Sequence, residues 1–116
     1  QSSTRVLFRT DWGEHADQDD YRTHFPRISA KLAQWLVDKG VLLIGLETPS
    51  VASLRPENLD ELTQVHQILL MGDVIIVEGL TNLKLLPNTV EFVALPLKLE
   101  NIDGSPVRAI AIIDDN

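Results

Sequence analysis

At 116 residues the chain has room for one domain with a core but is lean for an enzyme. A composition 44% hydrophobic and 23% charged excludes a disordered polar chain, and a formal charge of −7, from 17 acidic against 10 basic residues, argues against nucleic acid or an anionic membrane as partner. Cysteine is absent, so disulfides and thiolate metal sites are excluded, and any metal must be held by His, Asp or Glu.

No apolar run approaches the ~18 residues of a membrane span, and a cytoplasmic protein fits these properties. The sequence starts Gln1-Ser2-Ser3 and its only methionine is Met71. Residue 1 is therefore not expected to be a translation start, and a processed product or a part of something longer is expected.

In chain order, residues 4–10 (TRVLFRT) alternate β-branched and aromatic side chains and predict a strand. The Asp-rich stretch 11–24 has no apolar period and predicts a loop. Beyond Pro26, Ser29 is placed to cap a helix over AKLAQWLVDK; Ile28, Leu32, Trp35 and Leu36 recur at helical spacing, and Gly40 ends it. VLLIGLE (41–47) is a continuous apolar run, the pattern of a strand buried on both faces. A turn-rich segment, ETPSVASLRPEN, leads to a second helix over 60–72 (DELTQVHQILLMG) and a second buried strand over 74–80 (VIIVEGL). EFVALPLKLE (91–100) and VRAIAII (107–113) then flank Asp103-Gly104, a tight-turn signal that predicts an antiparallel hairpin. The order β-α-β-α-β-β-β predicts an α/β fold with a mixed sheet and flanking helices in one domain over 1–116.

Reactive groups in α/β sheets gather outside the carboxyl ends of parallel strands. Two predicted strands end in an acid there, at Glu47 and Glu78, and His66 lies in the helix feeding the second. A bland reading stands beside each: a lone helical His is most often a boundary residue, Glu78 could be a solvated strand end, and Glu47 before Thr-Pro-Ser could cap a turn. Asp11 and Trp12 could line a pocket. No phosphate loop, nucleophile elbow or zinc-protease helix is present.

Taken in order, RVLFRTDW, HFPRIS, AKLAQWLVDKGVLLIGLETPSV, HQILLMGDVIIVEGLTNL and EFVALPLKLENIDGSPVRAIAI resemble the metal-dependent cyclase family of kynurenine formamidase-like and isatin hydrolase-like proteins. The resemblance runs from about Arg5 to Ile113 and covers the C-terminal portion only. It implies a swivelling β/β/α fold, present here as an incomplete part, and hydrolysis of a small amide or lactam by metal-activated water. It also implies a divalent metal, Zn²⁺ or Mn²⁺, with two ions in the complete site. His66 and Glu78 have the family's spacing of a late His and a Glu twelve residues on, so the resemblance assigns metal ligation to those two. The family's early motif, H-x-G-T-H-x-D-x-P-x-H, is absent; GEHAD (13–17) imitates its core but follows RTDW, and His15 and His24 are given no metal role.

The expected partners are therefore an N-terminal portion of the same enzyme, as a separate chain or a missing segment, a small amide substrate and further copies in a homo-oligomer. The catalytic acid and base are not assigned. A competing reading makes the chain a non-catalytic remnant that serves as a binding or oligomerisation module. A complete enzyme built on His15, Asp17, His66 and Glu78 is disfavoured, since nothing in the 11–24 pattern fixes that loop.

Overall fold

A computed structural model describes residues 4–114. It divides into two compact units, with the boundary between Leu83 and Lys84. In the first, β1 (Thr4–Phe8), β2 (Val41–Leu46) and β3 (Ile75–Val77) form a parallel sheet in the order β1-β2-β3. The crossovers carry α1 (Ala30–Asp38) and α2 (Leu59–Met71). Two successive parallel crossovers that advance the same way put both helices on one face of a sheet, where they can pack on each other.

Register decides what each face of the sheet holds. Val6, Ile44 and Ile76 are cross-strand partners, as are Phe8 and Leu46. These side chains meet Ala33 and Leu36 of α1 and Val65 and Leu69 of α2 in one hydrophobic cluster. The alternate row is Leu7, Gly45 and Val77. A Cβ at Gly45 would lie 2.6 Å from Leu7 Cδ2 and 2.8 Å from Leu80 Cδ1, so those side chains cover β2 on its second face. β2 is thus buried on both faces, as its unbroken apolar run predicts.

The helix signals hold for a local reason. Ser29 Oγ accepts the Leu32 N–H at 3.2 Å, supplying a partner that the first helical turn lacks. Gly40, at φ 71°, takes the left-handed conformation that stops α1 after its Lys39 cap. The inward face of α1 is Ala33 and Leu36, however, and Trp35 is exposed with Lys39 Nζ 5.7 Å from its ring.

Two expectations are corrected. The strand expected over 74–80 is only Ile75–Val77, and Ile75 is 60% exposed. It is an edge strand, and positive φ angles at Asp73 and Gly79 turn the chain away at both ends. In the second unit, β4 (Glu91–Pro96) and β5 (Val107–Ile112) do form the antiparallel hairpin, but Asp103-Gly104 is not its tight turn. Pro96 pairs with Val107, which leaves residues 97–106 as a long connection. The left-handed residue in it is Asn101, and Ser105 Oγ accepts the Leu97 N–H at 2.9 Å. Pro96 and Pro106 carry no N–H, so the ladder cannot run on to a two-residue turn. Parallel and antiparallel pairing are both present, in separate sheets.

Candidate metal centre

The first unit brings His66 and Glu78 together: Nε2 of His66 lies 3.9 Å from Oε1 of Glu78. Their elements explain the meeting. α2 returns the chain to β3, and Glu78 is the first residue past the end of that strand. Both side chains are about one-third exposed and line an open cavity of about 600 Å³ with Pro49, Ser50, Leu62 and Leu70.

Each group is held by a backbone partner. His66 Nδ1 is 2.8 Å from the carbonyl oxygen of Leu62, one helical turn back. A carbonyl can only accept, so Nδ1 carries the proton and a neutral ring keeps its lone pair on Nε2, the nitrogen nearer Glu78. The Glu78 Oε1 accepts the Val51 N–H at 3.0 Å. Burial pushes the Glu78 carboxyl above its ordinary value of 4.5, opposed by the Val51 N–H and by His66.

Glu47 goes elsewhere. It is 2% exposed, and its Oε2 accepts the backbone N–H groups of Thr10 and Asp11, each at 2.7 Å. That satisfies a buried carboxylate with backbone donors. The cavity lining does not include Asp11 or Trp12. Trp12 stacks on His15 with ring centroids 4.1 Å apart and donates Nε1–H to the Tyr21 carbonyl at 2.9 Å. His15 is 3.8 Å from Asp20, and His24 Nδ1 meets Thr23 Oγ1 at 2.9 Å. Among the described residues no group of three or more His, Asp or Glu side chains could hold a metal, so His15 and Asp17 do not join His66 and Glu78.

Sequence reading missed the supports. Thr48 Oγ1 donates to the Ser50 carbonyl at 2.8 Å, which shapes the turn that aims the Val51 N–H at Glu78. The Thr-Pro-Ser cluster marks a turn, but nothing local tells which carboxylate the turn will serve.

The His–Glu pair thus places one nitrogen and one carboxylate donor just outside the strand ends of a parallel α/β sheet, where such sheets hold ligands. The comparisons narrow this. The Cyclase family model matches residues 1–53. A kynurenine formamidase from Bordetella petrii is 39% identical over 91% of this chain and 48% of its own length. One from Bacillus mycoides is 36% identical over the same shares. In fold, isatin hydrolase A from Ralstonia solanacearum superposes with a TM-score of 0.83 and 26% identity, over 97% of this chain and 46% of that one. A structure described as a potential metal-dependent hydrolase with cyclase activity gives 0.76 and 28%, over 96% and 51%. The chain spans about half the length of the curated relatives it matches. Over that span its sequence and fold are similar to those of proteins described as cyclases, kynurenine formamidases and isatin hydrolases.

Proposed function

We propose that this chain contributes His66 and Glu78 to a divalent-metal site that hydrolyses a small amide or lactam, with the remaining ligands on polypeptide outside this sequence. The observation that carries the reading is the convergence of the His66 imidazole Nε2 and the Glu78 carboxyl group, 3.9 Å apart, on one cavity. The pair fits a cation by donor type, since both suit Zn²⁺ or Mn²⁺, and by spacing, since two ligand bonds of about 2.1 Å can span it. It does not fit by number: two donors cannot complete a four-coordinate site with an open position.

A metal ion bound there would supply Lewis acidity and a water of lowered pKa. The chain's own residues do the rest of what can be derived. Leu62 fixes the His66 ring and its tautomer, the Val51 N–H fixes the Glu78 carboxylate, and Leu62 and Leu70 present an apolar wall to the organic part of a substrate. A carboxyl must be ionised to ligate, and burial raises the Glu78 pKa, so metal binding here weakens as pH falls.

The test is metal content and formamide hydrolysis in the protein carrying its full ligand set. His66→Ala and Glu78→Ala should each lower metal occupancy at least tenfold and abolish hydrolysis. Unchanged metal content and activity in Glu78→Ala would refute the assignment. The second reading, a non-catalytic binding or oligomerisation module, draws on the exposed apolar side chains of the hairpin, among them Leu95, Ile110 and Ile112. A metal-free, inactive parent that still self-associates would favour it.

A further inference from the structure

Glu47 lies outside the cavity yet is the most thoroughly bonded carboxylate near it. Its Oε2 takes the N–H groups of Thr10 and Asp11 at 2.7 Å each and lies 3.4 Å from Thr10 Oγ1. Its own carbonyl accepts the Tyr21 hydroxyl at 3.1 Å. Trp12 Nε1–H closes onto the Tyr21 carbonyl at 2.9 Å. One buried residue therefore holds both ends of the loop from Thr10 to Tyr21. Asp11, whose N–H makes one of those bonds, sits at φ 59°, a left-handed angle that is uncommon for a residue with a side chain.

That loop lies against the residues that follow Glu78. Tyr21 Oη would be 3.9 Å from a Cβ at Gly79, and a Cβ at Gly13 would be 3.1 Å from both the Leu80 carbonyl oxygen and Thr81 Cα. Gly79 itself needs its missing side chain, since its φ is 67°. On the other side, the segment bearing Glu47 grips the same residues. Gly79 N–H donates to the Thr48 carbonyl and Leu80 N–H to the Leu46 carbonyl, both at 2.9 Å, while Val51 N–H holds the Glu78 carboxylate at 3.0 Å. The backbone after Glu78 is thus enclosed between the 46–51 segment and the 10–21 loop, and Glu47 joins the two.

We infer that Glu47 is a positioning residue for Glu78: its buried carboxylate pins the 10–21 loop behind Gly79 and so fixes where the Glu78 carboxylate enters the cavity. The inference rests on the reading of Glu78 as a metal ligand. It needs no charge on Glu47, only an acceptor in place, because both short bonds go to a single oxygen. Glutamine offers that oxygen and alanine does not.

The experiment titrates Mn²⁺ into the protein with its full ligand set and records the visible bands of its Co²⁺ form. Glu47→Ala should weaken Mn²⁺ about tenfold and shift the Co²⁺ bands, at the low end of the range for groups supporting a ligand from outside the coordination shell. Glu47→Gln should restore both to within about twofold of wild type. Tyr21→Phe, which removes only the hydroxyl bonded to Glu47, should weaken Mn²⁺ about threefold, and it decides the matter if Glu47→Ala does not fold. Glu78→Ala separates the two readings. If it binds Mn²⁺ like wild type, the metal assignment falls and this inference with it. If it loses Mn²⁺ while Glu47→Ala, or Tyr21→Phe in its place, keeps wild-type affinity and bands, positioning by Glu47 is overturned and the metal assignment stands. Failure of Glu47→Gln to restore binding overturns it as well.

Discussion

Glu47 and Glu78 follow apolar runs of the same kind, and each stands just past the last residue of its strand, yet they end in opposite electrostatic settings. Two backbone N–H groups and near-complete burial make Glu47 a fixed acceptor. Glu78 has one N–H and an imidazole at the rim of a cavity. The donors that separate them come from Thr10, Asp11 and Val51, 27 to 37 residues away along the chain. No local pattern could distinguish the two acids, and only the family resemblance, through the spacing of His66 and Glu78, singled out Glu78 as the candidate ligand.

Burial has a pH consequence at the same scale. The folded Glu78 pKa is raised above its unfolded value, so the metal-free folded state binds the extra proton more tightly. The resulting stability is fully present below the unfolded pKa and is lost as pH rises through the folded one. Metal-free protein should therefore lose urea stability as pH rises from about 4.5 through the range just above it, and Glu78→Gln should flatten that portion of the profile. A slope that persists in Glu78→Gln would assign the effect to other groups.

At the scale of elements, the ends of α1 were legible because a cap and a stop are local chemistry. Ser29 supplies its own acceptor within three residues, and Gly40 supplies its own conformational freedom. Ser29→Ala should cost about 1 kcal/mol in chemical denaturation with little change in the slope of the transition. A loss below about 0.3 kcal/mol would mean that solvent replaces the cap without penalty. β3 and the hairpin connection were less legible. An apolar run of seven residues does not state how many will find partners, and β3 ends at Val77 because the chain turns away at Gly79, φ 67°. Asp103-Gly104 carries a turn signal, but the Pro96 and Pro106 positions set the length of the connection.

At the scale of the whole molecule, the hairpin carries apolar side chains on both sides. Phe92, Ala94, Ala109 and Ala111 share one face, and Val93, Leu95, Ile110 and Ile112 share the other with the charged Glu91 and Arg108. Leu95 is 71% exposed and Ile110 and Ile112 are close to half exposed. A two-stranded hairpin is marginal alone, and exposed apolar faces of this kind mark association surfaces. The chain on its own should therefore run in light scattering well above its 13.0 kDa mass, and Leu95→Lys with Ile110→Lys should reduce that assembly. A monodisperse monomer of 13.0 kDa would count against it. No helix among the described residues is long and apolar enough to cross a membrane, so a membrane-spanning helix does not account for this apolar surface.

Short-range chemistry in the sequence controls the strand and helix order, the cap and stop of α1 and the double-sided burial of β2, while the choice of His66 and Glu78 as candidate ligands came from the family resemblance. Tertiary structure decided everything that depends on a donor or neighbour far along the chain. It set the short span of β3, gave Glu47 two backbone N–H donors, and supplied the carbonyl and N–H that orient His66 and Glu78. The physical reason is the same in each case. A backbone group carries no side-chain signature, so its partner becomes visible only when folding brings it within hydrogen-bond reach.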